Sequence, residues 1–371
     1  VDVGFWGAAV PENLKPGGLN DLEAVLQGGA LGLAAVVAAS LYAEQPGGVV
    51  AGDRALTLVE LERALETAAR SRKPVLVHSE IVSDDDAGLP AGADGMDYAS
   101  WLATRPMRWE EGAVRALLAI AEKPHGAPHG RDTTAPRIHV MRLTDAGCTE
   151  ILRAAAERDE ADGAQATTPE GISTARVTGS SCPHYAMFDA EGVVRGDTRL
   201  KVAPPLRRAA NRRKLWAALL DGRISLLTSD HTPATLEQRA GSFFDAFSGI
   251  SGLQFTLAAT WTEGKEHGAS LRNLTRWLSE EPAKLAGIWR RKGSIEAGKD
   301  ADLVVWRPHS RTETANVYHR QPGSPYEDLP LFGRTMATVV RGRTVFHDGA
   351  PPISACGQVI LRADGALPAR G

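Results

Sequence analysis

The chain has 371 residues, of which 43% are hydrophobic, and its 42 basic and 45 acidic side chains give a formal net charge of −3. This balance argues against a nucleic-acid or anionic-membrane partner, because either would need an excess of positive charge. No apolar run reaches the length of a transmembrane helix. The length suffices for a large barrel with a smaller appended domain.

The cysteines bear on the cellular compartment. Cys148, Cys182 and Cys356 are far apart and odd in number, which argues against a disulfide framework and favours a reducing environment. The sequence also shows no signal-peptide pattern. We therefore expect a cytoplasmic protein.

Short apolar strands alternate with helices along most of the chain. Strands are predicted near residues 3, 34, 76, 140, 177 and 227. Helices are predicted near residues 22–26, 57–72, 98–103, 110–121, 145–158, 211–220, 251–262 and 271–285. The segment Thr57-Leu-Val-Glu60 is a capping box that opens the second of these helices. The alternation predicts parallel βα units, with six strands visible where a closed barrel needs eight.

The pattern changes after Lys292. Short strands with turn glycines and no crossover helices follow over residues 293–305 and 335–346, which predicts a small antiparallel sheet. We therefore divide the chain into a barrel over residues 1–291 and a small β-sandwich portion with the C-terminal tail over residues 292–371. The loop at 123–136 carries His125 and His129, which we interpret as solvated loop histidines rather than metal ligands.

Polar side chains stand where the predicted strands end, namely His78, Arg142, His184 and Asp230. In α/β barrels the chemistry lies at these ends, so groups converging from different strands indicate a site. Asp230 is a candidate metal ligand or general base, although an aspartate there could also cap the next turn. His184 is equally a candidate substrate contact or a packed turn histidine.

Several motifs resemble those of the cyclic amidohydrolases, and most closely those of the allantoinases, in order and spacing over nearly the whole chain. They are Val3-Gly-Phe-Trp-Gly7, Val75-Leu-Val-His-Ser-Glu80, Ser181-Cys-Pro-His-Tyr185, Ala203-Pro-Pro-Leu-Arg207, Ser229-Asp-His-Thr-Pro233, Gly249-Ile-Ser-Gly-Leu-Gln254 and residues 293–303. The resemblance implies the TIM-type (β/α)8 barrel of the amidohydrolase superfamily. Strands three to eight would lie in this chain and the first two would be absent from it, with a small C-terminal β-sandwich portion following.

The resemblance also implies a mechanism. In the family, two metal ions activate a bridging water, and the aspartate after strand eight accepts the proton of that water. Asp230 matches this catalytic aspartate, and His78 matches one of the histidine ligands. The substrate would contact Arg142, His184 and the loop that carries Gly249 and Ser251.

Two substitutions depart from the family pattern. Ala34 stands where the family has its bridging lysine, and Arg142 stands where it has a histidine ligand. Two divalent ions do not share a site that lacks the bridging anion and holds a guanidinium cation. We therefore expect no binuclear centre, and at most zinc or another divalent metal at a single weak site through His78 and Asp230.

Two functions remain open at this point. One is an allantoinase-like hydrolase of purine catabolism, which cleaves a ring amide C–N bond of a small cyclic amide or ureide. The alternative is a metal-deficient, inactive homologue that binds a ureide-like ligand or assembles with an active paralogue. A homo-oligomer is expected in either case. Asp230 is the expected partner of Arg142, and Glu80 is the next candidate. Pairing of Arg142 with Asp230 would favour the binding protein, whereas an open pocket in front of Arg142 would favour the enzyme.

Overall fold

Six parallel strands follow one another in chain order across the central sheet of the computed structural model. The model describes residues 1–15, 17–38, 55–81, 92–123, 137–161, 175–314, 317–318, 320–348, 350 and 355–362. The first short strand, β1 (Val3–Gly4), lies outside this sheet. The six strands of the sheet are β2 (Gly7–Ala8), β3 (Leu33–Ala38), β4 (Val75–Glu80), β5 (Ile138–Met141), β6 (Val177–Ser181) and β7 (Leu226–Leu227). Each strand is hydrogen-bonded in parallel to the next. Parallel neighbours in unbroken chain order are the arrangement of a βα barrel wall.

Helices connect these strands. They are α1 (Leu19–Gln27), α2 (Leu58–Arg70), α3 (Tyr98–Ala103), α4 (Met107–Ala121), α5 (Ala146–Ala161), α6 (Pro183–Met187), α7 (Ala209–Leu220), α8 (Thr256–Glu266), α9 (Leu271–Thr275) and α10 (Glu281–Leu285). A π-helical turn over residues 276–280 joins α9 to α10. The predicted capping box is present, because Thr57 accepts a hydrogen bond from the backbone of Glu60 and the Glu60 side chain accepts one from Thr57. None of the described helices is long and apolar enough to cross a membrane.

The first strand of the sheet differs from the prediction near residue 3. Val3 pairs in parallel with Val359, so β1 leaves the sheet to join β11 (Val359–Ile360), and Gly7–Ala8 becomes the first barrel strand. Asp2 explains this pairing, because its Oδ1 accepts a hydrogen bond from the Gln358 backbone and its Oδ2 lies 2.7 Å from the Lys292 ammonium. The position of β1 is thus determined by contacts of Asp2 with residues that are distant in the sequence.

The C-terminal sheet has three antiparallel strands, as the change of pattern after Lys292 predicted. They are β8 (Leu303–Arg311), β9 (Phe332–Val340) and β10 (Arg343–His347), in the order β10-β9-β8. The sheet packs on α8, where Trp261 donates a hydrogen bond to the Pro308 carbonyl at 2.9 Å. The last described residues return to the barrel, since the Arg362 backbone donates to Gly29 at 2.8 Å. The division of domains at residue 292 therefore stays a prediction.

The core of the barrel lies between the sheet and its helices. One cluster joins β3, β4 and β5 to α2 and α4, and a second surrounds the fully buried Trp216 and Trp277 near β7. Parallel strands buried on both faces give near-continuous apolar runs. The two predicted loop histidines, His125 and His129, fall outside the described residues.

One polar group inside this core predicts a response to acid. His139 on β5 is buried, its Nδ1 lies 2.8 Å from Thr178 Oγ1, and burial together with the charge of Arg137 lowers its pKa to about 3. The unfolded chain, with an ordinary histidine, binds this proton more readily. The stability that neutral His139 contributes is therefore present above about pH 6.5 and is lost as the pH falls towards 3.

We expect the free energy of unfolding of wild type to fall between pH 6.5 and pH 4 by up to about 1.4 kcal/mol per pH unit from this group. In His139→Asn this part of the decline should be missing, and urea titrations at several pH values measure the difference. Thr178→Val is the control, because it removes the hydrogen-bond partner and keeps the titrating ring. An unchanged pH slope in His139→Asn would contradict the assignment.

Candidate functional site

Polar side chains from three neighbouring strands meet at the carboxyl edge of the sheet. Arg142 follows β5, Cys182 and His184 follow β6, and Asp230 follows β7. In a parallel sheet these positions lie at one edge, which is where barrel enzymes bind their substrates. We call these four residues the mouth cluster.

The centre of the mouth cluster is an ion pair. The Arg142 guanidinium lies 2.7 Å from Asp230 Oδ1, and the two side chains are 22% and 15% exposed. Both residues have a left-handed backbone, with φ of 61° at Arg142 and 44° at Asp230. This conformation is unfavourable for non-glycine residues and is found at functional sites more often than elsewhere. Asp230 and Glu80 were the two carboxylates considered as partners of Arg142, and the ion pair forms with Asp230.

The other two residues of the mouth cluster are buried beside this pair. Cys182 and His184 are fully buried, and donor atoms of Cys182, His184 and Asp230 all lie within 4.8 Å of one another. The Cys182 sulfur is also 3.7 Å from Thr228 Oγ1. Pro183 lies in the first turn of α6, where its missing N–H and fixed φ explain why β6 ends at Ser181.

The electrostatics keep His184 neutral. Burial lowers the pKa of its imidazole to about 4, with the Arg142 charge adding to the effect and Asp230 opposing it. Neither ring nitrogen of His184 has a hydrogen-bond partner among the described residues. A buried polar atom in this condition has lost its hydration without compensation from the described residues.

His78 lies in a buried cluster with Glu80 and Arg105. Its Nε2 lies 3.1 Å from Glu80 Oε2, and the Glu80 carboxylate is also held by Arg105, with Nε to Oε1 at 3.1 Å. Burial raises the pKa of Glu80, but the Arg105 charge and the His78 hydrogen bond outweigh it, so the pKa falls to about 2. Burial also lowers the pKa of His78. A metal bond from His78 would thus have to come from Nδ1, and its role as a ligand stays a prediction.

A hydrogen-bond network holds the turn that follows Arg142. The buried carboxylate of Glu110 accepts bonds from the backbones of Thr144 and Asp145, both at 2.8 Å. The Arg207 guanidinium donates to Thr144 Oγ1 at 2.9 Å. These contacts from α4 and from the segment before α7 fix the backbone that carries Arg142.

Gly249 and Ser251 follow the chain beyond Asp230. The backbone N–H of Gly249 donates to the Lys201 carbonyl at 2.9 Å, and its own carbonyl accepts from Arg239 at 3.0 Å. The Ser251 carbonyl accepts from Ser324 at 2.6 Å, while the buried Ser251 hydroxyl has no hydrogen-bond partner among the described residues. The substrate contacts expected of both residues stay predictions.

The donor set decides which metal centre fits. Ala34 on β3 has no donor atom, and Arg142 brings a positive charge to the carboxylate of Asp230. Two divalent ions need a bridging anion between them, and Ala34 cannot supply one, so these residues do not fit a two-metal centre. In the described part of the chain, two groups have ligand atoms close enough for one ion: Cys182, His184 and Asp230, and separately Asp2, Asp300 and Asp302. In the second group Lys292 contacts all three carboxylates.

Sequence reasoning found part of this site. It identified Arg142, His184 and Asp230 from their positions after strands, and it treated Cys182 only as a free thiol. The same positional signal covers Cys182, which directly follows Ser181 at the end of β6. The sequence did not identify Arg105, because no pattern near this residue indicates that its guanidinium pairs with the Glu80 carboxylate.

Comparisons with known proteins agree with this architecture. The model of the amidohydrolase family matches residues 137–345. Allantoinase of Arabidopsis thaliana is 37% identical, over 97% of this chain and 67% of that protein. A probable allantoinase of Oryza sativa subsp. japonica is 38% identical, over 97% of this chain and 68% of that protein. The chain thus spans about two thirds of the length of these relatives.

Solved structures resemble the chain in fold. L-Hydantoinase (dihydropyrimidinase) from Arthrobacter aurescens has a TM-score of 0.78 and 26% identity, over 98% of this chain and 74% of that chain. A structure of D-hydantoinase has a TM-score of 0.77 at 22% identity, which bears on the fold alone. The predicted TIM-type barrel architecture is confirmed by these likenesses.

Proposed function

The chain belongs to the amidohydrolase family, and we propose that it hydrolyses the ring amide C–N bond of allantoin or a closely related cyclic ureide at the mouth cluster. The observation that supports this most is the position of a carboxylate, Asp230, directly after β7 at the carboxyl edge of the sheet, beside the partly exposed guanidinium of Arg142. The curated relatives named allantoinase match the chain along nearly its whole length.

Asp230 would act as the general base. It accepts a proton from the attacking water, whose oxygen bonds to the ring carbonyl carbon, and it then gives that proton to the leaving nitrogen. The C–N bond breaks, and water is thereby added across it, leaving a carboxylic acid and an open-chain ureide. The acid then ionises to a carboxylate by releasing its proton to solvent. Arg142 donates hydrogen bonds to the carbonyl oxygen as it becomes negatively charged.

The proposed metal content is at most one ion. Ala34 and Arg142 argue for a degenerate centre, in which a single weakly held ion replaces the pair expected for the family. A bound divalent ion would supply a more acidic water and polarise the carbonyl. The expected homo-oligomer remains a proposal that sedimentation of the purified protein can test.

A second function has a specific observation in its favour. Asp230 Oδ1 is already bound by Arg142 at 2.7 Å, and a carboxylate that is held by a cation is a poorer proton acceptor. A catalytically inactive homologue that binds a ureide would keep this ion pair intact. We place this function second, because Arg142 is partly exposed and can turn from Asp230 to an anionic or carbonyl oxygen of the substrate.

The test is hydrolysis of allantoin by purified wild type, with and without zinc, manganese or cobalt, beside Arg142→His and the double variant Arg142→His/Ala34→Lys. We expect turnover in wild type and its loss in Arg142→His, because the guanidinium has the electrophilic role. Arg115→His, an exposed substitution on α4, is the control.

Activity that appears only in the double variant supplied with metal would refute the proposed function and support the inactive homologue with a decayed metal site. No turnover in any variant, together with measurable allantoin binding by calorimetry, would also support the inactive homologue. Turnover in wild type that persists in Arg142→His would remove Arg142 from the mechanism.

A further inference from the structure

Three different donor atoms converge beside the Arg142–Asp230 pair. The Cys182 sulfur, a His184 nitrogen and an Asp230 carboxylate oxygen lie within 4.8 Å of one another. They come from two neighbouring strand ends, since Cys182 and His184 follow β6 and Asp230 follows β7. The backbone of the sheet and Pro183 in α6 therefore fix the positions of all three.

The state of His184 is an independent observation. The ring is fully buried, and neither Nδ1 nor Nε2 finds a hydrogen-bond partner in the described residues. Its neighbour Tyr185 covers it edge-on at 4.2 Å between ring centroids. A neutral imidazole with both nitrogens unused is the form that binds a metal ion.

We propose that Cys182, His184 and Asp230 bind one zinc ion, with Arg142 competing for the carboxylate of Asp230. A thiolate, an imidazole and a carboxylate are the ligand types that zinc takes, and their sum of two negative charges matches the charge of the ion. Three protein ligands leave the fourth tetrahedral position for water or substrate. This ligand set deepens the proposed function and differs from the pair His78 and Asp230 expected from the sequence.

Binding has a defined proton balance. A cysteine thiol has an ordinary pKa of about 8.5, so below that pH the Cys182 thiol carries a proton before the ion arrives. Formation of the zinc–sulfur bond releases that proton to solvent, giving one proton for each zinc bound. An imidazole is neutral above the ordinary histidine pKa of about 6.5, so above that pH His184 releases none.

Arg142 sets the affinity. Its guanidinium contacts the same carboxylate that the ion needs, so zinc must displace it, and its 22% exposure leaves it room to turn towards solvent. Removing the guanidinium removes the competitor. We expect Arg142→Gln to tighten zinc binding by about 2- to 5-fold, the strength of a partly exposed ion pair.

The experiment uses the full chain as a Cys148→Ser/Cys356→Ser background, in which Cys182 is the only remaining thiol of the three in the sequence. Zinc is measured by equilibrium dialysis and elemental analysis, and cobalt is the spectroscopic probe. We expect one ion per chain, one proton released per zinc, and a near-ultraviolet thiolate-to-cobalt charge-transfer band.

Two variants in this background test the ligands. Cys182→Ser should abolish the band. His184→Gln should weaken zinc binding by more than about 100-fold, the upper limit for loss of an outer-shell partner. Asp300→Asn, in the acidic group that Lys292 contacts, is the matched control and should change nothing. Circular dichroism checks that each variant is folded, and Cys182→Ala replaces Cys182→Ser if that variant fails.

The absence of a band in the background protein, or a band that survives loss of Cys182, would overturn the zinc site. These results are separable from the proposed function. A zinc site without allantoin hydrolysis would support the zinc inference and contradict the proposed function. Allantoin hydrolysis without a thiolate–cobalt band would support the proposed function and contradict the zinc inference.

Discussion

Replacing Asp230 with asparagine is expected to lower kcat for allantoin hydrolysis by about 10²- to 10⁴-fold, the contribution of a positioned general base. The asparagine oxygen can still accept the hydrogen bond that Arg142 donates to Oδ1 at 2.7 Å. What the amide cannot do is take a proton from water at neutral pH. Because the loss concerns the transition state, kcat should fall while KM changes little.

The control for this prediction is Asp21→Asn, an exposed aspartate in the first turn of α1. It removes the same charge far from the mouth cluster, so it should leave kcat unchanged. A steady-state assay of the three proteins, with thermal unfolding of each as a check of folding, decides the matter. An Asp230→Asn protein that retains most of the wild-type kcat would show that another group accepts the proton.

The largest effect on stability is expected from Glu80→Gln. Glu80 and Arg105 form an ion pair whose side chains are 0% and 3% exposed, and the guanidinium lies between Trp101 and Trp109 at 5.8 Å from each ring. Neutralising one partner leaves a buried cation without its counter-ion. We expect the free energy of unfolding to fall by about 3–5 kcal/mol.

Urea unfolding followed by tryptophan fluorescence measures this change. The matched control is Glu111→Gln, which breaks the exposed pair of Glu111 and Arg115 on α4 and should cost no more than about 0.5 kcal/mol. The double variant Glu80→Leu/Arg105→Leu should recover part of the loss, because it leaves no unpaired charge. Equal destabilisation by Glu80→Gln and Glu111→Gln would refute the interpretation.

The two expectations also bear on the choice between enzyme and binding protein. Hydrogen bonds from Glu110 and Arg207 hold the turn that follows Arg142 in the mouth cluster. Glu80 and Arg105 form their ion pair at the end of the neighbouring strand, β4. A pre-organised environment of this kind is what electrostatic catalysis requires. It serves a binding site equally well, so the kinetic effect of Asp230→Asn is the more discriminating of the two measurements.

Local patterns in the sequence sufficed for much of the barrel. The apolar run that forms β3, the capping box at Thr57 and the polar residues after β5 and β7 each depend on neighbours within a few positions. These patterns predict strands and helix ends through residue periodicity and helix capping, which can be read from the amino-acid sequence alone. The positions of Arg142 and Asp230 at one edge of the sheet followed from the rule that parallel strands end together.

The tertiary structure alone decided which of these groups pair. Asp230 rather than Glu80 takes Arg142, because Arg105, from the turn between α3 and α4, already neutralises Glu80. The strand near residue 3 joins β11 through partners more than 350 positions away, Gln358 among them. Such contacts depend on chain closure and on where side chains point after folding, and no local propensity encodes them.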